Sequence, residues 1–393
     1  MPGVTEKPYI IKQDDKMDYR NLKVSISNMI TEKSLKQSCQ VFESVIQQLK
    51  NYKRIFIYGA GGWGISLQKL LKVYSIGIHA FFDRRADEID MINKVPVFNL
   101  DQYNATENDK KESLIIIAVR LEIQKSIEVN LKERGYINCI TINGIWHYGC
   151  WSSKNELFSL IHEKEKILKC SDIWADQKSL DIYYRHIKCY ISRLYKGSIQ
   201  IDRDQYFPGD IMFGKGYSKF VDCGAYIGDT VDSLIENIGK ITHLIAIEAD
   251  VENFKELTSK IKNKKKYIAE EIYTYPCGIW SSTKMLAFDN TQGPSCHISE
   301  SGNAFLQCVS LDDILPDFIP TFIKMDIEGA EIEAIKGARY TISKFKPDLA
   351  IAVYHKIEHL WEVPLLIKSL KNNYKFYLRS YEHFNQETVL YAV

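Results

Sequence analysis

Residues 220–230, FVDCGAYIGDT, predict a strand, a tight turn and the beginning of a helix. The apolar run ends in the carboxylate of Asp222, and Gly224 and Gly228 occupy the turn before the helix begins near Asp229. A turn of this kind presents backbone N–H groups and the positive end of a helix to a ligand, while the carboxylate is suited to an ammonium group. The stretch therefore favours a ligand that carries both a negative and a positive charge.

A second carboxylate follows the next predicted strand. Residues 243–247, HLIAI, form a buried-strand pattern that stops at Glu248, about twenty residues beyond the glycine turn. In a doubly wound sheet, an acid at that spacing binds ribose hydroxyls. Tyr226 stands where a dinucleotide fingerprint has its middle glycine, so the turn suits a pyrophosphate poorly and S-adenosylmethionine (SAM) better. An ordinary strand-to-helix turn without a ligand is the alternative to this cofactor site.

The composition is that of a globular protein without a strong charge bias. The chain has 393 residues, of which 45% are hydrophobic and 26% are charged, and it is long enough for two domains and a connecting segment. The net charge of +1 argues against nucleic-acid or membrane binding driven by bulk charge, and we expect no nucleic-acid partner. The lysine-rich residues 260–266, KIKNKKK, are typical of a solvated helix end.

The cysteines are scattered, odd in number and without a C-x-x-C pair. This pattern predicts reduced thiols in a cytoplasmic protein, and neither a disulfide framework nor a zinc site. Because the sequence has no apolar run of about eighteen residues and no charged-then-apolar leader, we expect no integral membrane segment. The oligomeric state stays open. The cysteines are at positions 39, 139, 150, 170, 189, 223, 277, 296 and 308.

Periodicity divides the chain into four segments and predicts an α/β protein. Residues 1–53 read as an N-terminal helical arm, 54–148 as a small Rossmann-like domain of four parallel strands, and 149–217 as a helical bridge. From 218 to 393 strands alternate with helices, and the chain finishes with two strands around a short loop. The predicted fold is two Rossmann-like domains joined by a helical segment. The second has a seven-stranded, mostly parallel sheet with an antiparallel last strand, the plan of class I SAM-dependent methyltransferases.

The small front domain carries a glycine motif of its own. A strand leads into a G-x-G-x-x-G run built on Gly59, Gly61 and Gly64, and Asp83 ends the second strand about twenty residues later. These residues predict a second nucleotide site, and a vestigial domain used for packing is an equal alternative. With FFDRR, VPVFNLDQY and IIIAV in order, residues 54–143 resemble the front domain of PglD-type sugar acetyltransferases and related nucleotide-sugar proteins. The resemblance implies a nucleotide or nucleotide-sugar ligand.

Acids and bases at the ends of later strands are the candidate catalytic groups, because ligands bind beyond the carboxyl ends of parallel strands. Asp326 ends one strand in the sequence KMDIEGAE, and His355 ends the next. Methyl transfer from a sulfonium is an in-line displacement that needs positioning and one base. We expect His355 to be the base and Asp326 to orient it or the acceptor. The alternatives are a histidine that caps the core and an aspartate that caps a helix.

Three further polar residues lie close in sequence to these groups and are expected to face the substrate: Glu328, Glu331 and Lys356. The two glutamates are near enough along the chain to share a helix face. They are able to ligate a divalent metal, but no histidine lies at ligand spacing beside them. A structural role is therefore favoured, and we expect no metal.

The second half of the chain resembles the FkbM family of SAM-dependent O-methyltransferases. The resemblance covers about residues 205–393, and IKMDIEGAE is its most distinctive stretch. The other motifs are FVDCGAYIGDT, IEAD at 247–250, SLDDIL at 310–315, KGA at 336–338 and LAIAVYHK at 349–356. Family members methylate hydroxyls on sugars, polysaccharides and macrolides, so the resemblance implies an acceptor of this kind.

The resemblance also implies which residues contact each ligand. The methionine end of SAM would be lined by Asp222, Gly224, Ala225 and Gly228, and the ribose hydroxyls would be bound by Glu248. Tyr226 and Asp250, which neighbour these residues, complete the predicted cofactor-binding set. The acceptor would be faced by residues 326–331 and His355.

These observations predict a cytoplasmic SAM-dependent O-methyltransferase that modifies a hydroxyl of a sugar, a glycan or a nucleotide-linked sugar, as in polysaccharide biosynthesis. The main alternative is an NAD(P)-dependent enzyme that uses the first glycine loop. A third hypothesis is a nucleotide-sugar-binding regulatory or scaffold protein whose second domain has lost catalysis. The intact acids at positions 222, 248 and 326 and the base at 355 argue against the third hypothesis.

Overall fold

The computed structural model describes residues 21–141, 154–192, 201–289, 297–298, 304–382 and 387–393. The chain divides into two compact units. The first is built mainly from Val24–His162, and the second mainly from Glu163–His186 and Ser198–Val393. The division between the units therefore falls inside the segment that the sequence predicts as a helical bridge.

Two helices precede the first sheet: α1 (Leu22–Met29) and α2 (Glu32–Leu49). Helix α2 begins after Thr31, whose hydroxyl accepts the N–H of Ser34 at 3.2 Å and so pairs one of the donors that a helix start leaves open. Its apolar residues recur on one face, where Leu35, Phe42 and Ile46 are fully buried. This burial, more than intrinsic propensity, stabilises the helix.

A six-stranded sheet forms the centre of the first unit. Its elements are β1 (Arg54–Tyr58), α3 (Gly62–Val73), β2 (Ala80–Phe82), β3 (Met91–Ile92), β4 (Val95–Phe98), α4 (Glu107–Glu112), β5 (Ser113–Ile117), α5 (Leu121–Glu133) and β6 (Cys139–Thr141). The strand order is β3-β4-β2-β1-β5-β6, and every neighbouring pair is parallel except β3 with β4.

This sheet differs from the four parallel strands that the sequence predicts, because a short hairpin extends it. Asn93 and Lys94 connect β3 to β4 with φ of 48° and 68°. Two left-handed residues in a row form the tight turn that matches the twist of a two-residue hairpin. The segment lacks the usual Asn-Gly signature and β3 has only two residues, so periodicity does not reveal it.

The second unit is built on a seven-stranded sheet with the order β16-β17-β15-β14-β7-β8-β9. The elements that follow the first sheet are α6 (Lys154–Cys170), α7 (Gln177–Ser192), β7 (Lys219–Cys223), α8 (Asp229–Asn237), β8 (Ile241–Ile247), α9 (Val251–Ile268), β9 (Ala269–Tyr275), β10 (Gly278–Ile279), β11 (Lys284–Asp289), β12 (His297–Ile298), β13 (Ala304–Val309), α10 (Leu311–Ile314), β14 (Phe322–Met325), α11 (Glu331–Gly337), α12 (Arg339–Phe345), β15 (Asp348–Ala352), α13 (His359–Leu370), β16 (Phe376–Ser380) and β17 (Thr388–Ala392). Strand β17 is antiparallel to both β15 and β16, and the other neighbouring pairs are parallel. The predicted α/β fold with an antiparallel last strand is confirmed.

A smaller four-stranded sheet, with the order β10-β13-β11-β12, is inserted in the chain between β9 and β14. Strands β11 and β13 pair in an antiparallel register over five residue pairs, whereas β10 and β13 are parallel. The insertion leaves the register of the large sheet undisturbed, because β14 pairs directly with β7.

The central strands of the large sheet are buried almost throughout. Strands β14 and β15 are buried at every position, and β7 at every position after its first residue. Such strands read as apolar runs because neither face meets water. The charged exceptions are Asp222 in β7 and Lys324 in β14, which are directly paired in the register, and Asp348 at the start of β15.

Two expectations from the sequence concern disulfides and membrane-crossing helices. None of the described cysteines takes part in a disulfide. None of the described helices combines the length and the apolar character that a membrane crossing requires.

The start of α7 is attached to the edge strand β16 by one buried guanidinium. The Arg379 side chain is only 1% exposed, and its Nη2 donates to Asp176 at 2.6 Å while its Nε donates to Asp210 at 3.0 Å. Nη1 donates to the carbonyl of Leu378 at 2.8 Å. Ser179 accepts the Leu378 N–H at 2.8 Å, so helix and strand share both backbone and side-chain bonds. These contacts satisfy a charge that would otherwise be costly to bury.

We expect Arg379→Met to lower the free energy of unfolding by about 3 kcal/mol at pH 7, because it leaves Asp176 without its cation and leaves Asp210 with Lys178 alone. Burial alone would raise the pKa of Asp176 and of Asp210, but Arg379 lowers both. The stabilisation is therefore fully present above the ordinary aspartate pKa and declines as the pH falls through the lowered values.

Urea unfolding of the full chain at a series of pH values measures this difference. The exposed Arg339, changed to methionine, is the matched control and should shift stability little. A difference between Arg379→Met and the wild type that does not shrink in acid would contradict the proposed origin of the stability.

Candidate functional site

A cavity of about 700 Å³ lies at the carboxyl ends of β7, β8, β14 and β15. In the large sheet β8 lies on one side of β7 and β14 on the other, and ligands of open α/β sheets bind where the strand order reverses in this way. Strands β10 and β13 of the small sheet supply another wall. The lining residues include Gln205, Tyr206, Gly224, Tyr226, Glu248, Asp250, Ile279, Trp280, Leu306, Lys324, Asp326, Glu328, Tyr354, Lys356 and Glu387.

The glycine turn after β7 lies directly against the loop after β14. Gly224 has φ of 80°, and a Cβ at this position would lie 1.8 Å from the carbonyl oxygen of Asp326. The N–H groups of Gly224 and Ala225 donate to the carbonyl of Ile247 at 2.9 and 3.0 Å. The turn is thereby fixed between two strand ends, and its backbone forms cavity wall without an intervening side chain.

Glu248 joins the end of β8 to this turn. One carboxylate oxygen accepts the N–H of Tyr226 at 2.8 Å, and the other accepts the N–H of Asp250 at 2.8 Å. The residue is 8% exposed and faces the cavity. Each oxygen keeps a lone pair, so the carboxylate is able to accept two further hydrogen bonds from a ligand.

Asp83 of the first unit makes the same backbone contacts in a different electrostatic setting. It accepts the N–H of Ala60 at 2.7 Å and that of Arg85 at 3.0 Å. The Arg85 guanidinium also donates to both carboxylate oxygens, at 3.0 and 3.1 Å. Burial alone would raise the pKa of Asp83, but these bonds from Arg85 and Ala60 lower it. The acid of the first glycine loop is therefore already paired with a cation.

Asp222 lies behind the cavity wall, in contrast to the expectation that it meets the ligand's ammonium group. It is fully buried, and the ammonium that it meets is that of Lys324, at 2.9 Å. Lys324 Nζ also donates to the carbonyl of Gly224 at 2.7 Å and lies 5.0 Å from the centre of the Tyr206 ring. Burial raises the pKa of Asp222 to about 6 against the opposing effect of Lys324, so the carboxylate stays largely ionised at pH 7.

A cluster of carboxylates and histidines forms where β14 and β15 end. His355 Nδ1 lies 3.0 Å from Glu331 Oε1, and His355 Nε2 lies 3.4 Å from Asp326 Oδ1 and 3.5 Å from Glu328 Oε2. Glu331 is completely buried, and its second oxygen lies 3.2 Å from His359 Nδ1. Four residues predicted to act near the acceptor are thus brought together, and His359 joins them from the start of α13.

The cluster is a poor environment for a general base on His355. Burial alone would lower the pKa of this imidazole, but the adjacent Glu331 carboxylate, with Asp326 and Glu328, raises it to about 9. At pH 7 the ring therefore carries a proton on both nitrogens, and it has no free lone pair to accept another. This geometry opposes the sequence-based expectation that His355 is the base.

The structure separates the predicted site residues into three groups. Those on the cavity lining are Gly224, Tyr226, Glu248, Asp250, Asp326, Glu328 and Lys356. Those behind the lining are Asp222, Ala225, Gly228, Glu331 and His355. Those in the first unit, on the loop between β1 and α3 and at the end of β2, are Gly59, Gly61, Gly64 and Asp83.

The sequence analysis did not identify Lys324, and it did not predict the contact between Tyr206 and Asp326. Lys324 interrupts the apolar run FIKM, and a charge inside a predicted buried strand is a signal that could have identified it. Tyr206 donates to Asp326 Oδ2 at 2.7 Å, and Tyr354 lies 3.4 Å from the other oxygen of the same carboxylate. No local pattern indicates that contact, because residues 206 and 326 are far apart along the chain.

Part of the second unit matches a family model, and nearly the whole chain shares the fold of a solved structure. Residues 222–377 match the family model described as the methyltransferase FkbM domain. The crystal structure of methyltransferase FkbM from Methylobacillus flagellatus KT aligns with 96% of this chain and with 99% of its own chain, with a TM-score of 0.71. The sequences are 22% identical, so this likeness shows the fold that the two chains share. Fibrillarin from Aeropyrum pernix, solved with natively bound SAM, covers 48% of this chain and 73% of its own, with a TM-score of 0.29 and 9% identity, too low to support an inference. No curated protein matches the sequence.

We expect Gly224→Ala to destabilise the fold more than Gly239→Ala does. Both residues have positive φ, so each alanine costs about 1–2 kcal/mol of backbone strain. Only at Gly224 would the new Cβ overlap a backbone oxygen, which adds about 1–3 kcal/mol of overpacking. Urea unfolding of the two variants measures the difference, and equal losses would contradict the close approach of the turn to Asp326.

Proposed function

We propose that the chain, whose residues 222–377 match the model of the methyltransferase FkbM domain, transfers a methyl group from SAM to a hydroxyl of a sugar, a glycan or a nucleotide-linked sugar. The observation that carries the proposal is the position of Glu248 on the wall of a large cavity, beside the Gly224 turn and together with the polar groups around Asp326. One cavity thus offers contacts for a nucleoside and for a hydroxylated acceptor.

The cofactor side of the cavity suits an adenosine that carries an amino acid. Glu248 has lone pairs to accept the two ribose hydroxyls, because its backbone partners occupy one position on each oxygen. The Lys324 ammonium and the backbone of Gly224 lie on the wall nearer to β14 and are suited to the methionine carboxylate and its neighbouring atoms. In this arrangement Asp222 is a positioning residue that acts through Lys324.

The acceptor side combines polar groups with an aromatic surface. Asp326, Glu328 and Lys356 offer hydrogen bonds to hydroxyls, while Trp280 and Leu306 offer an apolar face for a sugar ring. Transfer moves the methyl from the sulfonium to the acceptor oxygen in one displacement, the cofactor leaves as a thioether, and the hydroxyl proton is released. Asp326, already oriented by Tyr206, is the carboxylate placed to receive that hydroxyl's hydrogen bond.

The alternative nucleotide site on the first glycine loop is disfavoured by Arg85. A ribose that approaches Asp83 would compete with two guanidinium bonds, whereas a ribose at Glu248 displaces no cation among the described residues. An NAD(P)-dependent activity and a nucleotide-sugar-binding role are the alternatives to the proposal, and the binding experiment below tests it against them.

Calorimetry with SAM is expected to show one site that depends on Glu248. Glu248→Gln puts an amide beside two backbone donors and removes a charged acceptor, so SAM should bind about 10- to 100-fold more weakly. Asp83→Asn is the matched control and should leave SAM affinity unchanged. Binding of NAD(H) that only Asp83→Asn weakens, with no SAM binding, would overturn the proposal.

Transfer of labelled methyl from SAM to a panel of sugars, glycans and nucleoside-diphosphate sugars tests the acceptor class. We expect label in a base-stable ether. Asp326→Asn should lower kcat by about 100-fold or more while SAM affinity stays within about twofold, because Asp326 faces the acceptor and not the ribose. Label on nitrogen or carbon, or an unchanged kcat, would refute O-methylation through this carboxylate.

A further inference from the structure

Metal-ligating atoms from two adjacent strand ends converge on one small space beside the cavity. One ligand atom from each of Asp326, Glu331 and His355 lies within 4.8 Å of the others. Residues 326 and 331 follow β14, whereas 355 follows β15, the parallel neighbour of β14. The pairing of the strands, and not spacing along the chain, supplies the histidine that sequence analysis found missing beside the two glutamates.

Four buried atoms of this cluster have no hydrogen-bond partner of normal geometry among the described residues: both ring nitrogens of His355, Glu331 Oε2 and His359 Nδ1. The His355 side chain is only 10% exposed, and its Nε2 is one of these atoms. That nitrogen faces Asp326 Oδ1 at 3.4 Å and Glu328 Oε2 at 3.5 Å. A buried polar atom without a partner is unfavourable, so the site favours a ligand that satisfies it.

The spacing of these atoms suits a divalent cation. Two ligand atoms that each lie about 2.1 Å from an ion are separated by about 3.0–3.4 Å at octahedral to tetrahedral angles. The Asp326 and His355 atoms are already at that separation. Tyr206 donates to Asp326 Oδ2 at 2.7 Å, whereas Oδ1, the oxygen that faces His355, accepts only the longer bond from Tyr354 at 3.4 Å among the described residues. Glu328 is exposed, so its side chain is able to turn toward the same point.

Glu331 is placed to orient the histidine. Its Oε1 accepts the N–H of Ile327 at 3.0 Å and of Gly329 at 3.3 Å and lies 3.0 Å from His355 Nδ1. Its Oε2 lies beside His359. A buried carboxylate beside Nδ1 keeps the proton on that nitrogen, so a cation would displace the Nε2 proton and bind the Nε2 lone pair, which is the arrangement that supports metal-bound histidines in many proteins.

We propose that His355 Nε2 and Asp326 Oδ1, joined by Glu328, bind one divalent cation at the edge of the cavity. One nitrogen and two carboxylate oxygens form a mixed set that suits Mn²⁺ or Mg²⁺. Asp326 and Glu328 line the cavity, so the remaining coordination positions of a bound cation would be accessible to the acceptor of the proposed function. A cation there would bind the acceptor oxygen and favour release of its proton before the methyl arrives. That consequence rests on the proposed function, whereas cation binding does not.

Mn²⁺ binding to the full chain, stripped with a chelator and without SAM or acceptor, tests the inference by electron paramagnetic resonance and calorimetry. We expect one saturable site, weakened about 10-fold or more by His355→Gln and by Asp326→Asn, and competed by Mg²⁺. Glu333→Gln, on the same helix α11 as Glu331 but paired with Lys336, is the matched control and should bind Mn²⁺ as the wild type does.

Glu331→Gln separates orientation from ligation. It keeps every ligand atom yet should weaken Mn²⁺ binding about 10- to 100-fold. Thermal melts of each variant confirm that it is folded. The proposed cation site would be overturned if the wild type shows no saturable binding up to about 1 mM Mn²⁺, or if His355→Gln and Asp326→Asn bind Mn²⁺ as tightly as the wild type does. Mn²⁺ binding without methyl transfer would support the cation site and refute the proposed function. Methyl transfer that persists in chelator, without Mn²⁺ binding, would support the proposed function and refute the cation site.

Discussion

The buried ion pair between Asp222 and Lys324 is the interaction on which the second unit depends. It joins β7 to β14 in the middle of the sheet, where an unpaired charge of either sign would be strongly destabilising. Lys324 also holds the carbonyl of Gly224, so the same ammonium that neutralises β7 fixes the glycine turn. Because that turn lies against the backbone of Asp326, the ion pair sets the relative position of both sides of the cavity.

Sequence pattern is sufficient where the determining contacts are local. Residues 220–230 predict β7, the turn and α8 because an apolar run, two glycines and a helix start need only their chain neighbours. The Asp222–Lys324 pair spans 102 positions and the Tyr206–Asp326 hydrogen bond spans 120, so no local pattern shows which residues pair, although a charge within the apolar run FIKM does mark Lys324. For the same reason the sequence predicts Asp326, Glu328, Glu331 and His355 individually, but neither the contribution of His359 nor the protonation of the cluster.

The two glycine loops show how similar motifs acquire different chemistry. In both, an acid about twenty residues downstream accepts backbone N–H groups from the loop and from the residue two positions on, at Asp83 and at Glu248. The difference is Arg85, which covers one carboxylate with a guanidinium. Arg85 is the last residue of the motif FFDRR, but only the structure shows that its side chain folds back onto Asp83. Motif spacing therefore identifies the scaffold, and side-chain electrostatics decides which scaffold is open to a ligand.

The contact between the Gly224 turn and the Asp326 carbonyl divides the cavity into a wall that is able to vary and one that is not. Backbone meets backbone at that contact, so no side-chain substitution there can change the separation without shifting both strand ends. The small sheet, by contrast, lines the cavity with side chains such as Ile279 and Leu306. Under the proposed function, substitutions in the small sheet would therefore change the space for the acceptor, while the backbone contact beside the cofactor would keep its geometry.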